Sequence, residues 1–190
     1  MTTLQVNRTL DCQGLACPMP VVRTKKAIDE LKTGEVLEIR ATDKGSVADL
    51  KGWAKGTGHQ YIGLKEENGV YIHYIRKSDP SETKDESNFP HTISLDEIKN
   101  RMSSGERLNI VDVREPAEYA FGRLSGALSI PAGDLDTRIE ELDPAKEYLI
   151  VCRTGSRSDR VCHSLADKGY TNVKNVLPGM TDWTGEVEKD

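Results

Sequence analysis

Hydrophobic positions along the first part of the chain switch between two periods. Residues 4–10 carry a strand pattern, and residues 18–31 then place Val21, Val22, Ala27, Ile28 and Leu31 at helical spacing, with Gly34 as the terminator. Alternation returns at residues 35–41 through Val36, Leu37 and Ile39. Residues 46–55 read as a second helix capped by Ser46. Two strands follow, at 60–66 and 70–75, and the Asn68-Gly69 pair between them is a hairpin signal. The order β-α-β-α-β-β predicts a small two-layer α/β sandwich over residues 1–76.

The pattern then breaks. Residues 77–90, KSDPSETKDESNFP, hold two prolines, no aliphatic side chain and a single aromatic, Phe89, so this stretch buries little apolar surface and is expected to be a flexible linker. From residue 91 to 190 short apolar runs at 109–111, 127–130, 148–151 and 173–176 alternate with helical stretches at 95–102, 115–119, 135–142 and 158–168. That rhythm predicts a parallel sheet with helices on both faces, in which ligands sit at the carboxyl ends of strands. No repeat of fixed period relates the two halves, so they are different folds.

Charge and composition sharpen this. Net charge is +2 over residues 1–76, −2 over 77–90 and −5 over 91–190, which argues against nucleic acid as the main partner. No apolar run reaches the roughly 18 residues of a membrane span, and Gln5, Asn7 and Arg8 interrupt the opening stretch where a signal peptide would be apolar, so the expected compartment is the cytoplasm. The four cysteines are unevenly spaced, unlike a secreted disulfide framework. Four scattered histidines complete no zinc spacing, and neither a metal nor an organic cofactor is expected.

Cys152 carries the most specific chemistry. It ends the apolar run 148–151 and opens the string Cys152-Arg153-Thr154-Gly155-Ser156-Arg157-Ser158, which leads into a helix. Backbone N–H groups of such a loop can curl round the sulfur while the helix terminus adds positive potential, so the thiolate is expected below the usual value of about 8.5. Gly155 allows the tight loop, and Arg153 and Arg157 could dock an anionic donor such as thiosulfate. The rival reading is a cysteine phosphatase or arsenate reductase, whose loop places an arginine six residues after the cysteine; here that position is Ser158.

Around this loop the second half resembles a single-domain rhodanese. The resemblance is carried by residues 112–119 (DVREPAEY), Gly126-Ala127, Ile130-Pro131, the Cys152 loop and Gly179-Met180-Thr181-Asp182-Trp183. It implies that Cys152 is the nucleophile that carries a persulfide, and that Arg153, Thr154, Gly155, Ser156 and Arg157 form its substrate-binding cradle. Asp112 and Arg114 would form structural ion pairs. The chain departs from the family pattern at Arg123 and Ser125, where a His and a Pro are usual.

The first half resembles the TusA or SirA-like sulfur carriers, through residues 10–20 (LDCQGLACPMP), the basic helix positions Arg23, Lys25 and Lys26, and the Asn-Gly hairpin. The residues alone place Cys17 at a helix N-cap before Pro18, where a terminus stabilises thiolate. The resemblance implies that Cys17 accepts persulfide sulfur and passes it on by protein contact. Cys12, five residues earlier, is either a resolving cysteine or a small side chain at a loop start, and Cys162 a small core hydrophobe. The expected function is a sulfurtransferase that takes sulfane sulfur from thiosulfate, polysulfide or a low-molecular-weight persulfide onto Cys152 and relays it to Cys17 or to another acceptor thiol or protein. The alternative is a non-catalytic persulfide carrier or sensor that delivers sulfur to a partner protein.

Overall fold

A computed structural model describes residues 4–79, 82 and 88–190. The chain divides into two units, 1–81 and 82–190. Among the described residues no helix is long and apolar enough to cross a membrane.

The first unit runs β1 (Arg8–Cys12), α1 (Met19–Asp29), β2 (Val36–Ala41), α2 (Ser46–Thr57), β3 (Gln60–Glu67) and β4 (Val70–Arg76). Its four strands lie in the order β1-β2-β4-β3, with β1 and β2 parallel and the other pairs antiparallel. Alternation along β2 sends Leu37, Ile39 and Ala41 into one core with Ala27, Ile28 and Leu31 around α1 and Leu50 and Ala54 from α2. The hairpin forms at Asn68 (φ 52) and Gly69 (φ 78), a pair of left-handed residues that suits a two-residue turn.

Three expectations need correction here. The first strand starts at Arg8, not at residue 4. Val22 lies on the outside of α1 and is 53% exposed, whereas Thr24 is buried in its place. Ser46 does not cap α2: Gly45 is the N-cap residue, the Asp43 side chain accepts from Gly45 N at 3.1 Å, and the Ser46 hydroxyl points into the core to meet His73 Nε2 at 3.1 Å. A serine that can pair with a buried imidazole stabilises more by doing so than by capping an end already satisfied by the aspartate turn.

The second unit contains β5 (Thr92–Ser94), α3 (Leu95–Ser103), β6 (Ile110–Asp112), α4 (Pro116–Phe121), β7 (Leu128–Ser129), α5 (Leu135–Arg138), β8 (Tyr148–Val151), α6 (Ser156–Asp167) and β9 (Val173–Leu177). Its sheet is parallel throughout, in the order β5-β9-β8-β6-β7. Strand β8 explains why both faces are covered. Tyr148, Ile150 and Cys152 belong to the core shared with Val161 and Leu165 of α6, while Leu149 and Val151 belong to the opposite core with Ile98 of α3 and Leu124. Strand β5, too short for a period to show, is an addition to the expected elements. The expected helix 135–142 is the short α5 followed by a 3-10 turn, Ile139–Glu141.

The expected linker 77–90 is held at both ends. Lys77 closes on the first unit, its N donating to Glu35 O at 2.9 Å and its Nζ to Leu31 O at 2.7 Å. Asn88 N and Phe89 N both donate to Asp159 Oδ1 of α6, at 3.0 and 2.8 Å, and the Phe89 ring is buried in the core that contains Cys152. Composition hid this, because one well-placed aromatic among polar residues is enough to anchor a strap. The rest of the expected linker, residues 80, 81 and 83–87, lies outside the described residues.

Candidate functional site

Cys152 sits directly after β8, at the carboxyl edge of the parallel sheet, and is wholly buried. Its Sγ accepts a hydrogen bond from Gly155 N at 3.1 Å. The Ser158 hydroxyl lies 3.3 Å from the same sulfur, 2.6 Å from Asn175 Oδ1 and 3.1 Å from Gly155 O, so its single proton has three acceptors in reach. Asn175 Nδ2 in turn donates to Gly155 O at 3.1 Å. The turn that brings Gly155 N back onto the sulfur needs φ +89 at that residue, and a Cβ there would fall inside the Leu177 side chain.

The loop is braced from outside by the segment after β9. Met180 N donates to Cys152 O at 2.9 Å, and Thr181 contributes both N (3.0 Å) and Oγ1 (2.9 Å) to Arg153 O. Gly179 makes that approach possible, since a Cβ would stand 2.6 Å from Arg153 O. From the other side Arg157 forms a two-pronged ion pair with Glu118, 2.8 and 2.9 Å, and both residues are buried. Burial alone would lower the Arg157 guanidinium, but the Glu118 carboxylate outweighs it, with Cys152 acting in the same direction, so its pKa is raised. Glu118 also accepts from Glu115 N at 2.9 Å and so ties α4 to the loop.

The expected site residues thus separate by role. Gly155 reaches the sulfur through its amide, and the Arg157 guanidinium pairs with Glu118. Arg153, Thr154 and Ser156 are half-buried, and Thr154 Oγ1 donates to Glu82 O at 3.2 Å. Ser158, Asn175 and Glu118 were missed. The sequence marks Ser158 only as the position where a phosphatase arginine would stand, and nothing in the pattern around Asn175 reveals that β9 lies beside the loop. The structural ion pair of Asp112 with Arg114 forms at 2.6 Å and is buried. The two departures from the family pattern have partners in the chain's last residues: Arg123 pairs with Asp190 at 2.7 Å, and Ser125 donates to Glu188 at 2.6 Å.

Cys17 differs from its expectation. The N-cap of α1 is Pro18, so Cys17 lies one residue outside the helix, exposed, joined to Pro18 by a cis peptide. Its N donates to Asp43 Oδ2 at 3.2 Å. The thiol pKa is raised, first by the hydrogen bond to Asp49, then by desolvation and the charges of Asp49 and Asp43. That is the opposite of a helix-terminus effect. Cys12 is buried in the first core with its thiol pushed up by burial, and Cys162 is buried beneath Cys152 with its thiol pushed up by burial first, then by Asp159 and Cys152. All four cysteines are free; Cys12 is buried and Cys17 is exposed.

The second unit is thereby an α/β domain shaped to hold one cysteine sulfur at the carboxyl edge of a parallel sheet. Comparison with known proteins agrees with both halves. Residues 8–77 match the family model described as sulfurtransferase TusA, and residues 94–186 match the rhodanese-like domain. YrkF of Bacillus subtilis, named as a candidate sulfur carrier protein, is 47% identical over 94% of this chain and 96% of its own length. YtwF of the same organism, named as a candidate sulfurtransferase, is 41% identical over 50% of this chain and 92% of its own. The rhodanese-like domain of an Anabaena protein has the same fold, with a TM-score of 0.50 at 22% identity, covering 54% of this chain and 81% of that one. The chain belongs to the sulfur-transfer family that joins a TusA domain to a rhodanese-like domain.

Proposed function

We propose that Cys152 takes sulfane sulfur from a small donor as a persulfide and yields it to an acceptor thiol, with Cys17 of the same chain as the first acceptor. The observation that carries this reading is the pair of donors at Cys152 Sγ, the Gly155 amide and the Ser158 hydroxyl, at the head of a loop that is braced on both sides. In the loading step Cys152 thiolate attacks the outer sulfur of thiosulfate; a new S–S bond forms, and sulfite leaves with the electron pair of the broken bond. In the discharge step the acceptor thiolate attacks that outer sulfur, and Cys152 leaves as a thiolate. Gly155 N–H and Ser158 O–H stabilise the charge on Sγ in both steps, as donors to an ion do.

A reducing compartment, the cytoplasm, fits a cycle that returns to free thiols. The tether between the units raises the effective concentration of one cysteine before the other to the order of millimolar, which favours relay within a chain over relay between chains at micromolar protein. The phosphatase rival loses ground because its phosphate arginine is replaced by the neutral hydroxyl of Ser158. The second reading, a non-catalytic persulfide carrier or sensor that delivers sulfur to a partner protein, draws on the likeness to YrkF, named as a candidate sulfur carrier protein. Intact-mass measurement after exposure to thiosulfate, polysulfide and glutathione persulfide, combined with turnover to cyanide, tests the proposal. Uptake of one sulfur on Cys152 with multiple turnovers supports it. Sulfur uptake without turnover favours the carrier reading, and no uptake from any donor rejects both.

A further inference from the structure

We infer that Asp43 and Asp49 make Cys17 selective for sulfur presented by a cationic protein site and closed to small anionic donors such as thiosulfate and polysulfide. This rests on the reading of Cys17 as a sulfur carrier. The two carboxylates are built into the fold. Asp43 is fixed by two amides, Gly45 N on Oδ1 at 3.1 Å and Cys17 N on Oδ2 at 3.2 Å. Asp49 lies in the first turn of α2, and its carboxylate is the largest influence raising the Cys17 thiol. That turn is itself pinned to the core, because Ser46 at its start bonds His73 Nε2 at 3.1 Å, and His73 Nδ1 bonds Tyr61 OH at 2.8 Å.

Cys17 is exposed, so access does not limit its reactions; charge does. To take sulfur the thiol must first give its proton to solvent, leaving a thiolate between two carboxylates. Thiosulfate would then bring a double negative charge to three others in close range, at distances well inside the ~8 Å screening length of physiological salt. A protein-bound persulfide differs, since its charge is already shared with hydrogen-bond donors and basic side chains at its rim can pair with Asp43 and Asp49 on contact. The transfer is then balanced: Cys17 Sγ forms a bond to the outer sulfur, the donor's S–S bond breaks, and the donor cysteine leaves as a thiolate with the electron pair. The carboxylates thus act as a filter that admits sulfur by one route and also keep the idle thiol protonated.

The test uses the full chain carrying Cys152→Ser, with and without Asp43→Asn and Asp49→Asn together, and with Asp49→Asn alone in case the Asp43 turn is needed for folding. Cys17 alkylation is followed by peptide mass spectrometry with iodoacetate and with iodoacetamide. Both reagents need the same thiolate, so the ratio of their rates reads the local potential apart from the thiol pKa. The ratio is expected to rise about threefold to tenfold when the carboxylates are removed, and to rise less for Asp49→Asn alone. Loading of Cys17 by thiosulfate is expected only in the neutralised variants. An unchanged ratio, or equal thiosulfate loading with and without the aspartates, overturns the inference. A raised ratio while Cys17 takes up no sulfur even in the chain with Cys152 intact supports the electrostatic barrier but rejects the carrier reading beneath it.

Discussion

Cys152 and Cys17 occupy opposite environments. Cys152 is buried and meets an amide and a hydroxyl, with the Arg157–Glu118 pair behind the loop; Cys17 is exposed and meets two carboxylates. One setting presents hydrogen-bond donors to the sulfur before any partner arrives, whereas the other surrounds it with carboxylates. The difference teaches that a thiol near a helix start takes its character from the side chains around it as much as from the helix dipole, which is worth only about 0.3–1 kcal/mol at an exposed terminus.

The sharpest way to break the comparison is to exchange the cysteines. Cys152→Ser should reduce sulfur transfer from thiosulfate to cyanide by about a thousandfold or more, while Cys17→Ser should keep it within about twofold; equal losses would show that the two sites act as one. Next in size is the brace. Glu118→Gln leaves the buried Arg157 without its counter-charge and should destabilise the second unit by about 3–5 kcal/mol, read from denaturant midpoints followed by Trp183 fluorescence in a Trp53→Phe background. Ser158→Ala removes one donor to Cys152 Sγ and should slow both half-reactions by roughly tenfold to a hundredfold, matching the ~1.5–3 kcal/mol of a hydrogen bond to a charged group. Retained rates would leave the Gly155 amide as sufficient.

A further test concerns the scaffold behind Cys17. Burial, with a smaller push from Lys51, lowers His73 to about 4, well under its ordinary value of 6.5. The imidazole is therefore neutral in both folded and unfolded chains above about pH 6.5, where its contribution to stability is fully present. Between about 6.5 and 4 the unfolded chain takes up a proton that the folded one refuses, so stability of the first unit falls across that window and levels off below it. Denaturant titrations of a Trp183→Phe chain at several pH values, with Trp53 as the reporter, should show this slope, and His73→Gln should flatten it.

Much of the architecture was legible because the chain signals it locally. Asn68-Gly69 specifies its turn, the run 148–151 specifies a doubly covered strand, and Cys152 to Ser158 specifies a strand-loop-helix junction. What stayed hidden depends on residues distant in sequence. The Asn175 side chain under the loop, the Glu118 partner of Arg157 and the aspartates beside Cys17 are separated from their targets by 20, 39 and 26 or more positions, and no local period records such a meeting. Ser46 illustrates the same point at shorter range in logic: its cap signature was sound, but His73, across the core, offered a better bond.

The strap at Asn88 and Phe89 has a consequence for how this chain can be cut and recombined. The residues matched by the rhodanese-like model begin at 94 and end at 186, yet Phe89 plugs the core, strand β5 starts at Thr92, and Glu188 and Asp190 close back onto Arg123 and Ala120. The cooperative module therefore extends beyond the portable motif at both ends. A fragment trimmed to the motif would lose an aromatic plug, part of an edge strand and a terminal clasp, so any gene-level exchange that keeps this half functional must carry the flanking residues with it, and the usable seam lies upstream of Asn88.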